Sequence, residues 1–108
     1  MTDRELLERA AKAAGIEVVG LASKYICQGV SDFALLVRNE QGGDSIFDPL
    51  TDDGDRYRLA RTCKMRIDFQ EGLVFAGYEI AFRFTPGNDK EEVYAIVRAA
   101  AEIGRNMK

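Results

Sequence analysis

The chain has no histidine, so the groups in its 108 residues that could do chemistry are first of all its carboxylates. Four of them crowd into one stretch, Asp48, Asp52, Asp53 and Asp55, and hard oxygen ligands of this kind suit calcium or magnesium. The spacing fits a calcium loop badly. With Gly54 at the glycine position, Pro49 comes first, Thr51 third and Ala60 last, so two anchoring carboxylates are missing. A weak metal-dependent hydrolase using Asp52, Asp53 and Asp55 is the catalytic reading. The plainer one is that acids gather at a helix N-terminus, where capping and the helix dipole favour them. The plainer reading is preferred, and no metal or cofactor is expected. Glu79 is a further candidate general base, for which a solvated surface acid is the stronger reading.

The charge then reverses. Glu40 to Asp55 holds six acids and no base, whereas Arg56 to Arg66 holds five bases and no acid. Arg58, Arg61 and Lys64 could contact phosphates, with Tyr57 as a stacking ring for nucleic acid. Against this stand the net charge of −3 and the adjacent carboxylates, which would repel a phosphate backbone or neutralise the arginines. A solvated or internally paired face is preferred. The remaining enzyme signatures are absent: there is no GxSxG, no P-loop and no GxGxxG. Cys27 and Cys63 form no CxxC pair, and they read as two buried free thiols, with a disulfide between them as the alternative.

The elements that must position these residues follow from periodicity. Thr2 with Glu5 is a capping-box signature, and Leu6, Leu7, Ala10, Ala11 and Ala14 form a helical stripe closed by Gly15, which predicts a helix over about 3–14. Short β-branched and aromatic runs follow at Ile16 to Leu21, Tyr25 to Ile26 and Phe33 to Arg38, read as two or three strands. The turn from Asn39 to Asp44 predicts a hairpin leading into Ser45 to Phe47. Pro49 holds Asp48 out of the α region, and Thr51 or Asp52 can cap a second helix over about 52–64. Met65 to Gln70 alternates like a half-buried strand, Glu71-Gly72 turns, and one long return strand is predicted from Leu73 to Thr85. That strand puts Val74, Ala76, Tyr78, Ile80, Phe82 and Phe84 on one face and Glu79, Arg83 and Thr85 on the other, which Leu73 and Phe75 make partly apolar near the turn, as if something covered it. Pro86 to Asp89 then opens a last helix with an acidic first turn and a basic last turn, Arg105 and Lys108.

The expected fold is therefore a single α+β domain over residues 1–108, with three helices layered on a mainly antiparallel sheet of four to five strands, in the order α-β-β-(β)-α-β-β-α. A chain of this length buries roughly 65% of its unfolded surface, enough for one core. The longest apolar run in a predicted strand, Phe33 to Val37, is far short of the roughly 20 residues a bilayer helix needs. No membrane is expected, and the charged N-terminal residues Asp3, Arg4 and Glu5 read as intracellular.

One segment also carries a resemblance. Phe47-Asp48-Pro49-Leu50-Thr51-Asp52-Asp53-Gly54-Asp55, followed by Arg58-Leu59-Ala60, resembles a Trp-Asn-Pro-Leu, Asp-Asp-Gly-Asp, Arg-Leu-Ala signature of small phage and prophage proteins. The stretches Glu5 to Gly15 and Ala95 to Arg105 are similar to that family's ends. Phe47 stands for the tryptophan, Asp48 for the asparagine, and Tyr57 for a small aliphatic residue. The family is the phage ABA sandwich family, and the resemblance implies helices on both sides of a sheet and a setting in the cytoplasm of a bacterial host. It implies no reaction. The expected function is non-enzymatic binding of a phage or host protein, through the face of the second helix (Asp52, Asp53, Asp55, Tyr57, Arg58, Arg61 and Lys64) and the partly apolar face of the hairpin. Nucleic-acid binding through the basic part of that helix is the alternative.

Overall fold

The computed structural model describes residues 2–21, 34–38, 41–76 and 80–107. Within them the chain forms α1 (Asp3–Ala13), β1 (Val18–Leu21), β2 (Leu35–Arg38), β3 (Asp44–Phe47), α2 (Asp53–Thr62), β4 (Arg66–Asp68), β5 (Leu73–Ala76), β6 (Ile80–Arg83) and α3 (Asp89–Arg105). The predicted Tyr25 to Ile26 strand, Cys27, Tyr78, Glu79 and Lys108 lie outside the described residues.

Each helix begins where the sequence places a cap. The Thr2 hydroxyl accepts the Glu5 amide at 3.2 Å, Asp52 accepts the Asp55 amide at 3.0 Å, and Asn88 accepts the Glu91 amide at 3.1 Å, each satisfying a donor that has no partner in its own helix. The ends differ. After α1, Gly15 takes a left-handed φ of 71°, and the Ile16 amide bonds back to the Ala11 carbonyl at 2.9 Å. The same closing motif after α2 puts Lys64 at φ 55°, with the Met65 amide on the Ala60 carbonyl at 2.9 Å. A lysine there bears the Cβ crowding that glycine avoids.

The strands make two antiparallel sheets, ordered β1-β2-β3 and β4-β5-β6. This corrects the single four- to five-stranded sheet, and the reason lies in α3. Val97, Ala100 and Ala101 on one side of α3 join Leu6, Leu7, Leu35, Phe47 and Leu59 in a first core, while Ala95, Ile96 and Ala99 on another side join Val74, Ala76 and Phe84 in a second. The helix thus stands between two apolar surfaces, which would have been one surface had the described strands formed one sheet. Fully burying Leu7, Leu35, Leu59, Val74 and Val97 contributes about 2 kcal/mol for each side chain. Helices α1 and α3 run side by side in the same direction: Tyr94 donates to Asp3 at 3.1 Å near one end, and Lys12 donates to the Met107 carbonyl at 2.9 Å near the other. They meet closely enough that a Cβ on Gly104 would fall 1.9 Å from the Arg9 carbonyl oxygen.

The long strand Leu73 to Thr85 is also corrected. It is two strands, with Val74 opposite Phe82 and Ala76 opposite Ile80. Because directly opposed residues share a face, Val74 and Ala76 lie on the same side as Phe82 and Ile80, and the alternation that suggested one strand carries over from β5 to β6. The Met65 to Gln70 strand is likewise shorter than expected. The Asp68 carboxylate accepts the Gln70 and Glu71 amides, both at 3.0 Å, closing a turn at β4 that leaves Phe69 59% exposed. No helix among the described residues is long and apolar enough to cross a membrane.

Candidate functional site

The acidic stretch is held together by its own members. Pro49 is fully buried and Asp48 nearly so. The Asp48 amide donates to the Asp55 carboxylate at 2.9 Å, and the Thr51 hydroxyl donates to the Asp48 carboxylate. Asp52 caps α2, as above. Asp53 receives the Arg56 guanidinium, which also donates to the Pro49 carbonyl at 3.1 Å and is only 13% exposed. Asp55 receives Arg58 at 2.6 Å. Each carboxylate is thereby turned toward the start of α2 or toward an arginine one turn on. Among the described residues no three His, Cys, Asp or Glu side chains are grouped so as to hold a metal ion.

The basic part of the helix divides into engaged and open groups. Arg56 belongs to the acidic cap, and Arg58 joins Asp55 while keeping most of its surface in solvent. Tyr57 is 67% exposed, and the Arg61 guanidinium lies 5.5 Å from its ring centroid. This is the i, i+4 neighbour relation on a helix surface, with a cation over an aromatic face. Lys64 is exposed just past the helix end. Cys63 is half-buried against the first core, and burial pushes its thiol pKa up, which is the opposite of an activated nucleophile.

Two surfaces adjoin these groups. The first is a cleft of about 840 Å³ walled on one side by Asp55, Arg58, Leu59 and Thr62 and on the other by Ile46 and Phe47. The spacing of the four α2 residues is one helical face. Leu59 packs in the first core beneath it, so the cleft is an opening onto that core.

The second is the side of the second sheet that turns away from α3. Register puts Arg66 opposite Phe75 and Phe75 opposite Ala81, then Asp68 opposite Leu73 and Leu73 opposite Arg83. These two rows share one face. Val74 and Ala76, on the other, are buried against α3, while Phe75 and Leu73 remain half-buried and Arg66, Ala81 and Arg83 are exposed. The Arg66 guanidinium lies 4.5 Å from the Phe75 ring centroid.

The sequence-predicted group Asp52, Asp53, Asp55, Tyr57, Arg58, Arg61 and Lys64 is thus brought together on α2 and its flanks, with the acids at one end and the open aromatic and basic groups at the other. Arg66 and Arg83 are the residues that sequence reasoning passed over. Their signal is the period of two shared with Leu73 and Phe75, which becomes a common face only once strand register is known. Comparison with protein-family profiles, with curated proteins and with solved structures gives no match for the chain.

Proposed function

We propose that the chain is a small phage or prophage accessory protein of the ABA sandwich family, non-enzymatic, that acts by binding another protein in the cytoplasm of its bacterial host. The phage setting rests on the resemblance over residues 47–60 and toward both ends. The binding role rests on one observation above the others: Tyr57 stands two-thirds exposed with Arg61 over its ring. Tyrosine and arginine are the residue types that most often anchor interfaces, because each covers a large area with few internal rotations to freeze. The carboxylates of the acidic stretch support the same reading indirectly, since Asp52, Asp53 and Asp55 are engaged in capping and pairing.

The test is recovery of partners on the tagged full chain expressed at near-native level in the bacterial host. A partner retained by the wild type and lost with Tyr57→Ala is the expected result, with a loss of about 2 kcal/mol, or roughly thirtyfold in affinity, for an interface anchor. Recovery of nothing but nucleic acid, released by salt and dependent on Arg58, Arg61 and Lys64, would instead establish the nucleic-acid reading.

A further inference from the structure

We propose that the open face of the second sheet is a docking site for an acidic amphipathic helix of a partner protein. The proposal deepens the protein-binding reading, on which it rests, by naming a second surface and the chemistry of what covers it.

An antiparallel sheet commonly leaves one face to water, and that face is then polar. This one is not. Its centre is Leu73 and Phe75, both half-buried, with Ala81 beside them, and its opposite corners are Arg66 and Arg83. Among the described residues neither arginine takes part in an ion pair; Arg66 instead lies on the Phe75 ring. Among the described residues the carboxylate on this face is that of Asp68, which is turned to the Gln70 and Glu71 amides. The face therefore joins an apolar centre to two positive charges that no described residue pairs with, on a chain whose net charge is negative. An acidic partner is the complement of that arrangement, and an apolar stripe is the complement of its centre.

Backbone chemistry decides that the occupant is a helix. An extended peptide binds at a sheet's edge, where its N–H and C=O groups find partners; laid across a face, it would leave them unpaired. A helix has satisfied those groups internally, and α3 already covers the other face of this sheet in that way. The spacing also fits. Arg66 and Arg83 sit two strands apart and offset by two residues, which places their Cα atoms about 12 Å apart. Acids seven residues apart on a helix lie on one side and about 10.5 Å apart along the axis, with positions i+3 and i+4 between them to meet Phe75 and Leu73.

The experiment uses the full chain and a fluorescein-labelled synthetic helix with Glu at i and i+7 and Leu at i+3 and i+4, read by fluorescence anisotropy. Its controls are the same helix with Lys for Glu and a single-stranded oligothymidine. The double variant Arg66→Glu/Arg83→Glu alters only exposed side chains, and its melting curve reports whether it is folded. The expected result is saturable binding of the acidic helix, at least tenfold weaker with the folded double variant, unchanged with Tyr57→Ala, and absent for the Lys helix. Equal binding of the acidic and basic helices, or full affinity in the double variant, overturns the assignment. So does tighter binding of the oligothymidine, which would make the face a nucleic-acid site, and so does a dimer in sedimentation that Arg83→Glu dissolves, which would put a second copy there. A cellular partner that depends on Tyr57 and is indifferent to Arg66 and Arg83 removes this docking site and leaves the protein-binding reading in place. Acidic-helix binding with no Tyr57-dependent partner keeps this docking site and removes Tyr57 as an interface anchor.

Discussion

Replacing Gly104 by alanine sets two effects of opposite sign against each other. Gly104 lies inside α3, where alanine is favoured over glycine by about 1 kcal/mol. A Cβ at this position would sit 1.9 Å from the Arg9 carbonyl oxygen, 2.8 Å from its carbonyl carbon and 3.3 Å from the Ala13 amide nitrogen. The clashing atoms are backbone, so no side-chain rotation relieves them. Helices α1 and α3 must separate, and the contact they lose is that of Ala10, Ala11, Ala100 and Ala101, all buried in the first core. Overpacking costs about 1–3 kcal/mol, and a backbone clash of this depth belongs at the upper end. Subtracting the propensity gain leaves a net loss of about 2 kcal/mol, or roughly 8–16 °C in Tm for a domain of this size. Urea unfolding followed by circular dichroism measures it, with the midpoint falling by about 1 M. If Gly104→Ala proves as stable as the wild type, or gains the 1 kcal/mol that propensity alone supplies, the close parallel packing of α1 and α3 is wrong.

Three further outcomes follow from the local geometry. Lys64→Gly relieves the left-handed backbone after α2 and should raise stability by about 0.5–1 kcal/mol in the same urea assay; a loss there would contradict the observed turn. Asp52→Ala removes the bond to the Asp55 amide and should cost about 1 kcal/mol, with Asp52→Asn recovering most of it. Tyr94 has a pKa raised by burial, and by its bond to Asp3 and that carboxylate's charge, against a smaller opposing pull from Arg98. Its folded pKa thus exceeds the unfolded value of about 10, so the stability it contributes is whole below pH 10 and is lost as pH rises through the folded pKa. Alkaline unfolding should begin at higher pH in Tyr94→Phe, and an identical pH profile in the two proteins would count against the contact.

What was legible in the sequence was what is decided locally. Thr2, the Thr51-Asp52 pair and the Pro86 to Asp89 stretch mark helix starts, with Asp52 and Asn88 the caps the structure selects, because a cap is a bond between residues three apart. The Tyr57 and Arg61 contact follows from helical spacing alone. The sheet arrangement was not legible, because strand pairing is chosen by distant surfaces. Within Leu73 to Thr85 the one local sign of a break is Gly77, and the alternation runs on past it because Ala76 pairs with Ile80. Phe69 likewise continues the apolar pattern of Met65 and Ile67, yet the Asp68 turn removes it from the strand. The acidic stretch was read correctly as a helix start, whereas the face bearing Arg66 and Arg83 needed a register that no single segment contains.

The position of α3 between the two cores has a consequence for timing. Its residues 89–105 follow the other described elements in chain order, and both cores take side chains from it. A ribosome that has released the chain only as far as β6 has therefore released the described strands with α1 and α2 while neither core is complete. The two halves cannot mature one after the other, as separate domains do during synthesis; they wait for the same helix and should form, and melt, in a single cooperative step. During that interval both sheets expose the surfaces that α3 will later separate, apolar area of the kind that favours association of partly folded chains.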